Sequence, residues 1–191
     1  MKLEPDPRIP GVLHGTPVVH GDDRGWFLEI FREDDLGAAF VQGNHSHSRA
    51  GVLRGLHYHR RQSDAWYVVA GEVQAMLADL RTPSPSPAVV SVRMTGDQPR
   101  VLFIPPGVAH GFLAITDVDL IYWVTHPYDA SDELGVAWDD PILNAPWETP
   151  KGSAPILSQR DRHNPPLAWD AVVLADSGTT EQASRAPAAI R

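Results

Sequence analysis

The fold of this chain is decided by Gly51-Val52-Leu53-Arg54-Gly55-Leu56-His57-Tyr58-His59, together with Pro105-Pro106-Gly107-Val108-Ala109-His110 further along the sequence. Both motifs are short, and glycine or proline bounds them as expected for strands joined by tight turns. Residues two apart in a strand point to the same side, so His57 and His59 should lie on one wall of a cavity. The pattern predicts a double-stranded β-helix, which is a jelly-roll barrel, with a polar site inside.

Length and turn spacing predict one all-β domain with short peripheral helices. The chain has 191 residues, 42% of them hydrophobic, and its 15 Gly and 18 Pro separate short β-rich runs. The predicted strands span 11–20, 26–31, 65–80 with a break at Gly71, 89–94, 101–104 and 120–125. One short helix is expected over 32–40, with Asp34 or Asp35 as its cap. The domain is expected to cover 1–173, and the Ala- and Ser-rich segment 174–191 is predicted to be a flexible tail.

Charge and cysteine content narrow the classes of function. Lys and Arg number 16 against 24 Asp and Glu, and a net charge of -8 would repel nucleic acid. The absence of cysteine excludes disulfides and thiolate ligands. The amino-terminal segment contains acids and prolines where a signal peptide has an apolar run, and no segment is long and apolar enough to cross a bilayer. The expectation is a cytoplasmic protein without a membrane partner.

Four residues could hold a metal ion. His57, His59, Asp64 and His110 supply three imidazoles and one carboxylate, a set that suits a divalent first-row transition metal. The alternative is that His59 points to a wet rim, the solvent-exposed edge of the cavity, and that His57 acts alone. A metal site is therefore a hypothesis and not the favoured interpretation.

Seven motifs in a fixed order extend from about Leu13 to Asp161. They occupy 23–29, 42–48, 53–58, 79–81, 104–112, 138–141 and 157–161. In these motifs the chain resembles the dTDP-4-dehydrorhamnose 3,5-epimerase family of the cupin superfamily. The resemblance implies an epimerase of deoxysugar biosynthesis that acts on a nucleotide-linked 4-keto-6-deoxyhexose at C3, C5 or both. It further implies a homodimer that needs no organic cofactor.

The resemblance also implies roles for individual residues. Epimerisation beside a ketone needs a base, an acid on the opposite face of the sugar and a group that stabilises the enolate. His57 matches the base, Asp161 matches the carboxylate that orients it, and Tyr122 matches the acid. Residues that match substrate-binding positions are Arg24, Glu29, Gln42, Asn44, Arg54 and His110.

Two of these substrate-binding residues are arginines, and Arg54 is expected to line the nucleotide and sugar sites. Arg24 is expected to bind the diphosphate across a dimer interface, since a guanidinium suits a diphosphate in geometry and charge. The alternatives are a solvated Asp-Arg-Gly turn for Arg24 and a structural ion pair for Arg54.

Two positions depart from the family's pattern. Asp64 stands where the family usually has a lysine that helps to stabilise the enolate, and His59 stands where it usually has glutamine. A bound cation, or Arg60 or Arg61, could supply the missing positive charge. Three hypotheses therefore remain: an epimerase, a metal-dependent cupin isomerase or dioxygenase, and a non-catalytic barrel that binds a nucleotide sugar.

Another pair of histidines shares one strand face without belonging to this set. His45 and His47 alternate with Asn44, Ser46 and Ser48. If these three residues line the cavity, the two histidines must face away from it.

Overall fold

The computed structural model describes residues 1–149, 154–170 and 172, and its regular structure is almost entirely β. The predicted tail over 174–191 lies outside the described residues. Within the described part of the chain, no helix has the length and apolar character needed to span a membrane.

Thirteen strands and two short helices form the described part of the molecule. The elements are β1 (Lys2–Pro5), β2 (Leu13–Thr16), β3 (Val19–Asp22), β4 (Gly25–Leu28), α1 (Glu33–Leu36), β5 (Gln42–Ser48), β6 (Leu53–Tyr58), β7 (Asp64–Ala70), β8 (Glu72–Asp79), β9 (Val89–Thr95), β10 (Val101–Ile104), β11 (Val108–Ala114), β12 (Val118–Val124), β13 (Leu134–Gly135) and α2 (Gln159–Arg162).

Two antiparallel sheets build the barrel. The larger sheet has the strand order β1-β2-β10-β7-β12-β5, and the smaller has the order β13-β6-β11-β8-β9. The largest buried apolar cluster draws side chains from both sheets, including Trp66 and Leu120 from one and Leu77 and Phe112 from the other. The prediction of an all-β jelly-roll barrel of the cupin type with short peripheral helices is confirmed.

Two elements differ most from the sequence prediction. The expected strand over 11–20 is divided, because Pro17 separates β2 from β3 and a proline has no backbone N–H for a ladder. The helix expected over 32–40 is only α1, which Gly37 ends with φ of 63°. Its cap is Arg32, and the proposal of Asp34 or Asp35 was wrong. Asp35 instead accepts the Arg32 backbone N–H at 3.0 Å.

Strand register places one face of the larger sheet inside the barrel. Tyr122 on β12 lies opposite Asn44 on β5 and opposite Trp66 on β7. Two residues further along β12, Val124 points to the same side and lies opposite Gln42 on β5 and Asp64 on β7. Cross-strand partners share a face of the sheet, so these two rows form one wall of the cavity.

A β-bulge between β6 and β11 positions the opposite wall. Phe112 pairs with Arg54 and His110 pairs with His57. Between these two pairs β11 advances by two residues, whereas β6 advances by three. In a regular strand Arg54 and His57 would point to opposite faces, because they are three residues apart. The bulge resets the alternation, and both side chains reach the cavity.

Glycine permits the close approach of the two strands at this bulge. A Cβ added to Gly55 would lie 2.7 Å from the Gly111 Cα and 2.8 Å from the His110 carbonyl oxygen. Gly55 also has φ of 119°, a conformation that other residues rarely adopt. The smaller sheet therefore needs glycine here to place His57 beside His110.

Candidate active site

A cavity of about 510 Å³ lies between the two sheets. Its size is ordinary for a site that binds a small molecule. The lining combines polar residues of both walls with an apolar floor where Trp66, Phe112 and Leu120 join the core. Of the predicted site residues, the lining includes His57, His59, Asp64, His110, Tyr122, Asp161, Gln42, Asn44 and Arg54.

His57 and Asp161 form the shortest imidazole–carboxylate contact of the cavity. The His57 Nε2 atom lies 2.6 Å from the Asp161 Oδ1 atom, although the two residues are 104 positions apart. A hydrogen bond from Nε2–H to a carboxylate leaves Nδ1 as the basic nitrogen. Nδ1 has no hydrogen-bond partner among the residues that the structure describes. The pair therefore presents an oriented base to the cavity.

Asp161 is held in place by the short helix α2. Its backbone N–H donates to the Ser158 hydroxyl at 3.0 Å, and that hydroxyl donates to Asp161 Oδ2 at 2.8 Å. Burial acts to raise the pKa of Asp161, but the hydrogen bonds from His57 and Ser158 outweigh it, and the pKa lies below its ordinary value. Asp161 is thus kept as a carboxylate.

The sequence interpretation missed Ser158, although a signal for it was present. Ser158-Gln159-Arg160-Asp161 has the spacing of a helix-capping box, in which a serine caps a helix and an acid follows three residues later. The capping serine and the predicted carboxylate belong to one local unit.

Tyr122 projects from the wall that faces His57. It lies on β12 of the larger sheet, whereas His57 lies on β6 of the smaller sheet, and both line the cavity. Burial, followed by the negative charge of Asp64, raises the pKa of the Tyr122 hydroxyl above its ordinary value. The phenol therefore stays protonated at neutral pH and can donate a proton.

A second group of titratable residues lies in the same cavity. His59, Asp64 and His110 are buried, and one ligand atom from each lies within 4.8 Å of the other two. His57 does not belong to this group, so the four-residue metal set expected from the sequence is corrected to three. The alternative that His59 points to a wet rim is also wrong, because its side chain is buried.

Hydrogen bonds to backbone oxygens orient both imidazoles of this three-residue cluster. His59 Nδ1 lies 2.8 Å from the Asp132 carbonyl oxygen, and His110 Nδ1 lies 3.0 Å from the Val108 carbonyl oxygen. Burial lowers the pKa of His110 to about 4, which leaves that ring neutral at pH 7.

Comparison with known proteins identifies the family. The family model described as dTDP-4-dehydrorhamnose 3,5-epimerase matches residues 6–168. The chain belongs to this family.

Individual relatives agree with this assignment. A dTDP-4-dehydrorhamnose 3,5-epimerase of Pseudomonas aeruginosa is 39% identical over 170 residues, covering 84% of this chain and 93% of the relative. The rmlC epimerase of Mycobacterium tuberculosis has a TM-score of 0.81 at 32% identity, with 89% of each chain covered. ChmJ, a 3'-monoepimerase from Streptomyces bikiniensis, has a TM-score of 0.75 at 29% identity, covering 85% of this chain and 86% of ChmJ. The predictions of the family and of a sugar-nucleotide epimerase are confirmed, which favours an enzyme over a non-catalytic barrel.

Two predicted substrate-binding residues of this family member lie outside the cavity of their own chain. Arg24 belongs to the hairpin of β3 and β4, where its side chain is 90% exposed and pairs with Asp22. Glu29 follows β4 and pairs with Arg32. Within one chain, Arg24 therefore has the geometry of the solvated Asp-Arg-Gly turn.

Arg54 differs from the other arginines of the epimerase cavity. Arg61 pairs with Asp129 and Arg160 pairs with Glu133. Arg54 Nε donates to the Ser48 hydroxyl at 2.9 Å, and no carboxylate of the described residues lies within ion-pair distance of its guanidinium. The alternative of a structural ion pair for Arg54 was wrong, and its charge is available to a ligand.

Both arginines suggested as replacements for the family's lysine already have carboxylate partners. Arg61 lines the cavity but is held by Asp129, and Arg60 is bound to Asp132 and Ser131. The sequence interpretation missed Asp132, Glu133 and Arg160, because these contacts join distant parts of the chain.

His45 and His47 face away from the epimerase cavity, as predicted. Both are exposed and contact Asp119 on the outer face of the larger sheet, at 2.9 and 3.2 Å. Asn44 and Ser46, which alternate with them, line the cavity.

Proposed function

We propose that this chain epimerises a dTDP-linked 4-keto-6-deoxyhexose by removing a proton from a carbon beside the ketone. The observation that carries the proposal is the 2.6 Å contact between His57 and Asp161 in a cavity whose opposite wall carries Tyr122. Relatives named as dTDP-4-dehydrorhamnose 3,5-epimerases, and one solved relative in complex with dTDP-4-keto-L-rhamnose, support this choice of substrate.

His57 acts as the base through Nδ1. The Asp161 carboxylate accepts a hydrogen bond from Nε2–H, so the ring is held in the tautomer whose Nδ1 lone pair faces the cavity. When Nδ1 takes a proton from the sugar, the ring becomes positively charged and Asp161 stabilises that charge. A positioned pair of this kind contributes about 10² to 10⁴ in rate.

Tyr122 acts as the acid on the other face of the sugar. Inversion at a carbon requires that the proton leave from one face and return to the opposite face. The two sheets hold His57 and Tyr122 on facing walls, which is the arrangement that inversion needs.

Arg54 contacts the diphosphate, and Gln42 and Asn44 contact the nucleotide or sugar. Arg54 donates from Nε to Ser48 and from Nη2 to the His47 carbonyl oxygen, but it has no carboxylate partner among the described residues, so its charge can attract phosphate oxygens. The Gln42 amide donates to the Asn44 side-chain oxygen at 2.8 Å, so the two residues form one polar strip on the wall beside Tyr122.

We further propose that two copies form a homodimer in which each hairpin of β3 and β4 completes the partner's site. The hairpin exposes Trp26 and Phe27 by 67% and 68%, and it holds Arg24 away from its own cavity. Association would cover the apolar rings and bring Arg24 to a diphosphate in the neighbouring copy. The cytoplasmic location stays a prediction.

Solvent hydrogen exchange tests the epimerase proposal. The wild-type protein in D₂O should introduce deuterium at C3, C5 or both of a dTDP-4-keto-6-deoxyhexose, read by mass spectrometry and NMR. H57N should reduce the exchange by about 10³-fold or more while retaining dTDP binding. H45N, which changes an exposed histidine, is the control. Wild-type protein that binds the nucleotide sugar without exchange, both as purified and after addition of divalent metal, would refute the proposal.

Complementation tests the shared site. R24A and H57N are each expected to be inactive, but a mixture of the two should regain activity, since a mixed dimer contains one site with both wild-type residues. Light scattering should show a dimer for each variant. Failure to regain activity in a mixture shown to contain mixed dimers would place Arg24 outside the partner's site, without affecting the assignment of His57.

A further inference from the structure

We propose that His59, Asp64 and His110 bind one divalent transition metal ion through the two Nε2 atoms and a carboxylate oxygen. The ion lies beside the His57–Asp161 pair and is separate from it. One ligand atom from each side chain lies within 4.8 Å of the other two, and all three side chains are buried and line the cavity. Imidazole and carboxylate ligands suit manganese, iron, cobalt, nickel or zinc.

Both imidazoles are already in the tautomer that a metal ligand requires. A backbone carbonyl oxygen lies beside Nδ1 of each ring, at 2.8 Å for His59 and 3.0 Å for His110, and can only accept a hydrogen bond. Nδ1 must therefore carry the hydrogen, and Nε2 carries the lone pair. Histidine ligands in proteins are commonly fixed by this same outer contact.

Asp64 provides a negative charge that no lysine or arginine of the described residues balances. Its carboxylate accepts hydrogen bonds from Gln62 at 2.9 Å and from the Trp66 indole at 3.2 Å, and both donors are neutral. Among the described residues, its one ion-pair neighbour is His110 Nε2, at 3.8 Å. A buried carboxylate without a cation is costly, and a divalent ion would remove that cost.

Gln62 marks the place where a cation fits. Its amide nitrogen lies 2.9 Å from Asp64 Oδ1 and 3.2 Å from His59 Nε2, so a partly positive group bridges the two ligand atoms. Ligand atoms about 2.1 Å from one tetrahedral ion lie roughly 3.4 Å apart. Atoms that are now up to 4.8 Å apart must therefore close by as much as about 1.4 Å when the ion binds. Rotation of the Gln62 side chain would free both atoms for the metal.

The site has a chemical use, which rests on the proposed function. Removal of a proton beside a ketone places negative charge on the ketone oxygen, and Asp64 would repel that charge. A bound divalent ion would supply positive charge at the same place. His57 is not a ligand and stays available as the base.

Metal binding can be measured without substrate. The chelator-treated full-length protein is incubated with Mn²⁺, Fe²⁺ (kept anaerobic), Co²⁺, Ni²⁺ or Zn²⁺, and loosely bound ions are removed by desalting. We expect one ion per chain by elemental analysis, an absorption band for bound Co²⁺ and a higher melting temperature for the loaded wild type. A wild type that retains none of these ions and shows no change in melting temperature would overturn the proposal.

Matched variants locate the ion. H59N, D64N and H110N should each weaken metal binding by about 100-fold or more. Loss of a residue that only contacts a metal ligand can already weaken binding by up to about 100-fold. H57N should keep the ion, which distinguishes this three-residue site from one that uses His57. The double variant H45N/H47N, which removes the surface histidines beside Asp119, should also keep it. Retention of the ion in folded D64N, or its loss in H45N/H47N, would overturn the assignment.

The activity assay separates this inference from the proposed function. Deuterium exchange that is lost with chelator and restored by the metal supports the role at the ketone oxygen. A metal-loaded protein without exchange would leave the metal site standing and refute the epimerase proposal. Exchange by a protein that binds no metal would refute the metal site and leave the epimerase proposal standing.

Discussion

The cavity holds two groups built from the same residue types, and they differ in geometry. His57 and Asp161 meet at 2.6 Å, whereas His110 and Asp64 are 3.8 Å apart. In the first group the carboxylate engages one ring nitrogen and leaves the other free. In the second group, backbone carbonyl oxygens accept hydrogen bonds from the two Nδ1–H groups. The Nε2 lone pairs of the two rings then face the Asp64 carboxylate. Contact length and the choice of ring nitrogen therefore separate a proton-transfer pair from a cation site.

Both groups depend on one feature of the backbone. His57 lies on β6 and His59 follows it, while His110 lies on β11, opposite His57. The close approach at Gly55 and Gly111 sets the register of these two strands. Variants can therefore disturb one group alone or both together.

The largest expected effect comes from D161N, which disturbs the first group alone. Loss of the carboxylate removes the charge that orients His57 and stabilises its protonated ring, so the exchange rate should fall by about 10² to 10⁴. Metal content should be unchanged. D119N, which alters the exposed carboxylate beside His45 and His47, should leave the exchange rate at the wild-type level. An active D161N protein would show that His57 does not need its partner.

The next largest effect should come from G55A, which disturbs both groups. The added Cβ meets the backbone of β11, and the positive φ adds strain, so unfolding should become easier by about 2–4 kcal/mol. Chemical denaturation measures the change. Gly51 has φ of 82° and open space around it, so G51A controls for backbone strain alone and should cost less. Equal losses for the two variants would mean that the approach to β11 is not limiting.

A smaller effect is expected for S158A. It removes a helix cap and one hydrogen bond to Asp161, which should lower the free energy of unfolding by about 1 kcal/mol. The exchange rate should fall by less than it does in D161N. S86A, at an exposed serine between β8 and β9, should change neither quantity. An unchanged S158A protein would show that His57 positions Asp161 without help from α2.

The smallest effect concerns alkaline pH and the wall that faces His57. The pKa of Tyr122 is raised in the folded state, first by burial, so above pH 10 the unfolded chain loses this proton before the folded one. Stability should therefore fall as pH rises past 10, and Y122F should lose less of it. Melting temperatures between pH 8 and 11 measure this. Y128F, at a tyrosine that is 70% exposed, is the control and should behave like the wild type.

Local patterns were sufficient to predict much of the site. The spacing of His57 and His59 placed both on the cavity wall, and the alternation of Asn44 with His45 sent the two side chains to opposite faces. These predictions succeeded because a strand has a period of two, which sequence spacing reports directly. The helix cap was predicted wrongly, because the helix begins at Glu33 and Asp34 and Asp35 lie inside its first turn, where Asp35 accepts the backbone N–H of the cap residue Arg32.

Order along the chain and residue type determined the barrel, the family and most of the candidate side chains. Tertiary structure alone decided their grouping. It joined His57 to Asp161 across 104 positions, left His57 out of the cluster around Asp64, and turned Arg24 away from its own cavity. The reason is physical: a side chain's direction follows from local backbone geometry, whereas its partner depends on the bulge and on sheet packing, which bring distant segments together.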